Sequence, residues 1–363
     1  MALGGVGLST APATAGVSAA RGPVAYVVVE KGLTPVRTAT NSAGRLIKLP
    51  GASNPGQIVI TPNGKTAYVD VDLGGKTGSV VPMSTATNKP GKPIKVGDGP
   101  DGMAITPSGK TLYIANISSG TVTPINTATN TAGRPIKVGV RPRSIAITPD
   151  GKTAYVTNQG SNTVTPIATA TSKPGKPIKV GNGPLGIGMT PDGKIVYALN
   201  SGFGPGANTV TPINTATNRP GRAIPVGNSP WALAVTPNSK TAYVVSLGAS
   251  TVTPISTATG TAGKPIAVGN GPWAIAITPN GRTAYVASFE SGTVTPINTA
   301  TNTAGHPISA GKGAWAMAIT PDGRTAYAVS YETSTVTPIN TATNTAGTPI
   351  KVGLHPITIA ITP

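Results

Sequence analysis

The side chains in this sequence that could do chemistry are few, and the best of them fall at one repeating position. The place just after a Gly-rich approach and just before a short apolar run is held in turn by Gly56, Asp101, Arg143, Leu185, Trp231, Trp273, Trp315 and Ile357. All three tryptophans of the chain therefore share one column on consecutive repeats. Indole planes in a row suit sugar rings, flat aromatic ligands or organic cations. Phe203, Phe289 and Tyr331 lie in loops expected on the same side, so Trp231, Trp273, Trp315, Phe289, Tyr331 and Phe203 form the candidate ligand-binding set. The alternative is that the tryptophans pack between neighbouring units or plug a central opening.

The weaker, catalytic candidates are carboxylates near that column: Asp98, Asp101 and Glu290, with Arg143 as an electrophilic partner. General acid–base work needs two such groups to converge. Asp98 and Asp101 share a loop and could do so. An ion pair between Asp101 and Arg143, one repeat apart, is the competing reading and the favoured one. Asp70 and Asp72 alternate along a strand and point to opposite faces, which makes them a poor dyad. Asp70, Asp72 or Asp98 with loop carbonyls could ligate calcium, but no contiguous calcium-loop motif supports it. Asp150, Asp192 and Asp322 belong to a recurring turn and are excluded as catalytic.

Other chemistries are absent from the pattern. There is no Cys, which removes disulfides, thiol nucleophiles and thiolate metal sites. Two His in 363 residues leave little to titrate near neutral pH. No Ser-His-Asp set, phosphate-cradling Gly loop or zinc spacing is present, and no cofactor is expected.

The elements that must position these residues repeat with a period near 42. The Thr of the Thr-Pro pair that opens each copy falls at 61, 106, 148, 190, 236, 278, 320 and 362, in steps of 45, 42, 42, 46, 42, 42 and 42. Each period holds four short β-type runs, labelled A (IAITP), B (TAYVTN), C (TVTPI) and D (KPIKV). Four strands per unit of 40–45 residues is the signature of a β-propeller. Thr-Pro-Asp/Asn-Gly between A and B reads as a tight turn. The run-B tyrosines at 26, 68, 113, 155, 197, 243, 285 and 327 form a fixed column of core side chains. Each run occurs eight times, but the chain starts at B and stops just after A. The expected fold is thus all-β: an eight-bladed propeller of four-stranded antiparallel blades, closed by a C-terminal strand that completes blade 1. Residues 1–20, small and uncharged, read as a signal-like leader, and 21–363 as a single propeller domain. No run is long and apolar enough to be a transmembrane helix.

In such a blade the B–C and D–A connections leave on one face. The B–C loops of blades 2 and 5 are long, as is the D–A stretch 49–57, so insertions and the tryptophan column fall together, as binding faces of repeat proteins do. The net charge of +18 comes mostly from Lys and Arg in the A–B turn and in run D. In run D, lysine beside proline protects an outer strand from edge-to-edge pairing. The basic surface could meet an anionic cell-wall polymer or lipid headgroups. Nucleic acid is not an expected partner, because a binding stripe would cluster its basic residues with exposed aromatics on one face, whereas these are spread around every blade.

The string Tyr155-Val156-Thr157-Asn158 after TPDGKTA resembles the YVTN β-propeller repeat family, and variants of it recur in the other repeats. The resemblance covers roughly 22–363. It implies an exported or cell-surface, extracytoplasmic propeller, mostly without assigned chemistry. Members are usually seven-bladed, so eight repeats are a departure. The related propellers of haem nitrite reductases bind a haem; here only His306 and His355 are present, with no c-type haem motif. The functional expectation is a binding module, not an enzyme, for a small molecule, glycan or protein at the aromatic mouth. A lyase, hydrolase or cyclase using the carboxylates is the alternative, and a surface-layer or adhesion scaffold a third reading.

Overall fold

Proline and glycine keep every apolar run too short for a helix, so the backbone satisfies its polar groups between strands. The computed structural model describes residues 22–51, 54–72, 78–204 and 206–363, with Asn54 and Asp72 as backbone only. The expected leader at 1–20 lies outside them. The described residues form eight antiparallel sheets, and the protein is an eight-bladed β-propeller.

Blade 4 shows the plan. Strand A is Pro142–Ile147, B is Thr153–Asn158 and C is Thr163–Ala168. In the A–B turn, Gly151 at φ +71° donates its N–H to the Thr148 carbonyl at 2.7 Å. The Asp150 carboxylate accepts from the Thr148 hydroxyl at 2.6 Å and the Lys152 amide at 3.0 Å. The Thr148 hydroxyl bond and that amide hold the Asp150 carboxyl below its ordinary range, a structural use of the charge.

The fourth position is not one continuous strand. Run D is broken into two dipeptides, Lys173–Pro174 and Ile178–Lys179, both hydrogen-bonded to strand C. Between them Gly175 donates its N–H to the Pro166 carbonyl at 2.7 Å. Pro177 has no N–H to give a ladder, so the segment bows out there. The same break recurs in the other blades.

Blade 1 takes its strands from both ends of the chain, as the B-to-A offset predicts. Thr358–Ile361 pairs antiparallel with Val24–Val29, Val27 facing Ile359. Val24 N–H donates to the Thr362 hydroxyl at 2.9 Å.

By packing density the chain divides into two units. One holds blades 3 to 6 within Lys95–Ala267; the other holds blades 1, 2, 7 and 8. Within each, the core lies between blades. Ala146, Tyr155, Val164 and Ile178 of blade 4 pack on Ile187, Val196, Ala198 and Ile213 of blade 5. Equivalent clusters join blades 7 to 8, 8 to 1 and 1 to 2 in the other unit. Strand B is buried almost end to end because both its faces meet apolar neighbours.

The tyrosine column does more than fill this core. Four of the hydroxyls reach an asparagine in the C–D turn of the next blade: Tyr155 donates to Asn218 Oδ1 at 2.7 Å, Tyr26 to Asn88 at 2.7 Å, Tyr285 to Asn344 and Tyr327 to Asn41, both at 2.5 Å. The four asparagines sit at positive φ, which Asn tolerates. Burial pushes Tyr26, Tyr68, Tyr155, Tyr197, Tyr243, Tyr285 and Tyr327 up to about 12 from the ordinary 10.

Tyr197 is the exception that tests the latch. The turn it faces carries Gly260 where other blades have Asn or Ser, and its hydroxyl is buried without a hydrogen-bond partner among the described residues. Gly260 lies at φ +65° with open space around a Cβ. Gly260→Asn should therefore raise stability by about 1 kcal/mol in urea unfolding, through the restored acceptor. Gly260→Ala should lower it, and in a Tyr197→Phe background the Asn gain should vanish.

Candidate functional site

One backbone hydrogen bond decides which side chains meet at the B–C/D–A face. The residue ending strand B or opening the B–C loop donates its N–H to a D–A carbonyl two residues before the variable column. Gln159 donates to the Arg141 carbonyl at 3.0 Å, Leu247 to Ser229 at 3.0 Å, Phe289 to Gly271 at 2.7 Å and Tyr331 to Gly313 at 2.8 Å. Each acceptor residue has positive φ. The bond brings the first B–C side chain beside the column residue of the same blade, so B–C and D–A loops share a face as expected.

In blades 7 and 8 this assembles an aromatic ladder. Trp273 and Trp315 stack with centroids 4.3 Å apart and planes 17° from parallel. Phe289 meets both edge-on, at 6.4 and 5.4 Å. Tyr331 lies 5.7 Å from Trp315 and stacks on His355 at 4.7 Å. All but the exposed His355 are half-buried. At Gly313, φ is +77° and a Cβ would stand 3.2 Å from the Phe289 ring, so glycine lets the ladder close up. The two indoles cover one face of each other, which leaves no slot between them.

Carboxylates gather here. All three Glu of the chain lie in the B–C loops of blades 1, 7 and 8. Glu290 and Glu332 are exposed, and Glu30 Oε2 lies 3.4 Å from His355 Nδ1. Lys31 is the one cation of these three B–C loops, and Lys312 lies in the D–A connection before blade 8.

In the other unit the same two positions build a polar contact. Arg143 Nη1 lies 3.2 Å from Asp101 Oδ2, with side chains 6% and 9% exposed, and Arg143 Nε donates to Gln159 Oε1 at 3.1 Å. The favoured ion-pair reading of Asp101 and Arg143 is what the structure shows. Sequence reasoning missed Gln159, although it occupies the loop-opening position that varies from blade to blade. Asp98 is half-buried, with its backbone N–H donating to the Ser119 hydroxyl at 2.6 Å.

The other candidates are placed as follows. Trp231 is half-buried at the head of strand A in blade 6. Phe203 is at its loop tip with 94% of its surface in solvent, its carbonyl accepting from the Asn182 side chain. Asp70 is buried, its carboxylate filling the space a Cβ at Gly56 would need. The Asp72 side chain lies outside the described residues. Among the described residues no three His, Asp or Glu side chains converge as a metal site would require.

No protein-family model matches the chain, and no curated protein does. Solved structures share its fold. It is similar to the hydrazine synthase of Kuenenia stuttgartiensis, with 25% identity and a TM-score of 0.64 over 81% of this chain and 96% of that one. It is similar to a dihydro-heme d1 dehydrogenase in complex with DHE, with 14% identity and a TM-score of 0.79 over 99% and 79%. A putative 6-phosphogluconolactonase of Bacteroides fragilis has 17% identity and a TM-score of 0.64 over 96% and 100%. The class is the β-propeller, and its members here include enzymes.

Breaking the buried pair should be costly. Asp101→Asn leaves the Arg143 charge buried and is expected to lose about 3–5 kcal/mol in urea unfolding, whereas Asp101→Leu with Arg143→Met should recover most of it. An Asp101→Asn protein as stable as the parent would contradict the assignment.

Proposed function

We propose that this protein is a binding module whose aromatic ladder in blades 7 and 8 takes an organic cation. The observation that carries the reading is the Trp273–Trp315 stack, edged by Phe289 and Tyr331, with Glu290 and Glu332 exposed in the same loops. Indole and phenol surfaces attract cations by about 0.5–2 kcal/mol each, more where water is excluded. Carboxylates add charge complementarity, and their concentration here in a chain of net charge +18 is otherwise unexplained. A glycan or a neutral flat ligand would use the rings but gain little from the glutamates.

A binding role is favoured over the enzymatic one because two catalytic candidates, Asp101 and Arg143, are engaged with each other and with Gln159. We also infer that the chain is of the YVTN type and extracytoplasmic, on the strength of the repeated Tyr155-Val156-Thr157-Asn158 motif and the composition of residues 1–20.

The three tryptophans are the only ones in the chain, so intrinsic fluorescence reports on this column directly. Phenyltrimethylammonium should shift the emission saturably, and its uncharged isostere tert-butylbenzene should bind at least about tenfold more weakly, the ratio expected from one cation–π contact with charge complementarity. Glu290→Gln with Glu332→Gln should weaken the cation severalfold at unchanged melting temperature. Equal binding of both probes, no binding of either, or indifference to the Glu changes would overturn the reading.

A further inference from the structure

The outer edges of the blades carry an uneven charge that the scaffold does not require. On sequence grounds, lysine in run D guards an exposed edge strand. The structure supplies that protection by other means. In blades 3 to 6 alike, the middle of strand C is a proline (Pro124, Pro166, Pro212 and Pro254) whose carbonyl is taken by the glycine of the D bend at 2.7–2.8 Å. The D segment itself is broken, so no continuous edge is offered to another chain.

The repeat then provides its own comparison. At the three equivalent outward positions blade 4 has Lys173, Lys176 and Lys179, blade 3 has Arg134 and Lys137 after Thr131, and blade 5 has Arg219 and Arg222 before Pro225. Blade 6, on the same backbone, has Thr261, Lys264 and Ala267. Blade 7, in the other unit, has Thr303, His306 and Ser309, whereas blade 2 repeats the lysines of blade 4 with Lys89, Lys92 and Lys95. Edge protection cannot account for seven cations on three successive blades when a blade with one is built identically.

These seven are exposed, and none forms an ion pair among the described residues. The nearby turn carboxylates Asp150 and Asp192 are held by Lys152 and Lys194. Like charges also meet across blade boundaries: Ile136–Lys137 packs beside Lys173–Pro174, and Ile178–Lys179 beside Arg219–Pro220. Such juxtapositions are unfavourable without a counter-charge. At the second boundary lies a groove of about 360 Å³ lined by Lys176, Pro177, Lys179, Asn218 and Pro220. Asn218 Oδ1 accepts from the Tyr155 hydroxyl, so the other polar atom of that side chain is its Nδ2 amide, a donor suited to an anion.

We propose that the outer edges of blades 3, 4 and 5 dock a linear polyphosphate chain. Four of the seven cations are lysines, point charges that need no bidentate geometry and suit a flexible string of phosphates. A single-stranded nucleic acid would call for aromatic side chains to stack its bases, and these edges have only Pro, Gly and buried Ile between the cations, with no aromatic residue. A lipid surface would favour exposed apolar anchors; the large exposed hydrophobics, Leu46, Val140, Phe203 and Leu354, lie elsewhere.

The test uses the full chain and long-chain inorganic polyphosphate at varied salt. Lys173→Gln/Lys176→Gln/Lys179→Gln should weaken binding by about tenfold or more at physiological salt and reduce the slope of log K against log salt by about 2, as loss of three phosphate contacts predicts. Lys110→Gln/Lys152→Gln/Lys194→Gln removes equal charge from the A–B turns of the same blades and should change affinity less than about threefold if position, and not net charge, governs binding. Equal losses from both triples, no loss from the first, or tighter binding of a charge-matched thymidine oligomer or of phosphatidylserine vesicles would each overturn the proposal.

Discussion

Everything in this protein depends on the fact that a single blade has no interior. Strand B is apolar on both faces, so each blade becomes stable only when neighbours cover it, and the core consists of the seams between sheets. The column tyrosines join these seams in two ways at once. Their rings fill the boundary, and the hydroxyls of Tyr26, Tyr155, Tyr285 and Tyr327 reach across it to a turn held open by an asparagine at positive φ. A buried phenol with a satisfied hydroxyl adds specificity to an otherwise slippery apolar interface, because only one register places Oδ1 within reach.

With the seams fixed by tyrosine, the two positions that meet on the B–C/D–A face are free to vary. The backbone bond from the start of the B–C loop to the D–A carbonyl sets their distance whatever the side chains are. One blade can then hold Arg143 beside Gln159, and others Trp273 beside Phe289 and Trp315 beside Tyr331. The repeat supplies geometry and the variable column supplies chemistry, which is why the fold alone does not determine what such a protein does.

Much of the fold was legible in the sequence because the Thr-Pro-Asp/Asn-Gly stretches mark a turn whose chemistry leaves few alternatives, and because the offset between the first run B and the last run A called for the C-terminal strand to complete blade 1, where Ile359 faces Val27. The pairing of Asp101 with Arg143 was legible too, as opposite charges in one column. The break in run D was not: KPIKV has strand-like alternation, yet its proline and the preceding glycine forbid a continuous ladder. Nor was the tyrosine latch, since Tyr155 and Asn218 are 63 residues apart and nothing local in either motif names the other. Phe203 shows the limit of reading aromatics as sites, for its ring stands in solvent, while His355 entered the ladder through a loop whose composition gave no sign of it.

The most direct test of the seam account is an alkaline titration that follows tyrosinate absorbance and β-sheet circular dichroism together. Burial raises all eight column tyrosines, seven of them to about 12, so above the unfolded value near 10 the unfolded chain binds fewer protons than the native one. Stability is then complete below pH 10 and lost as pH rises towards 12. The account predicts that most tyrosinate appears together with the loss of sheet signal, in one transition within that window. Ionisation of the column at about pH 10 with the sheet signal intact would contradict it.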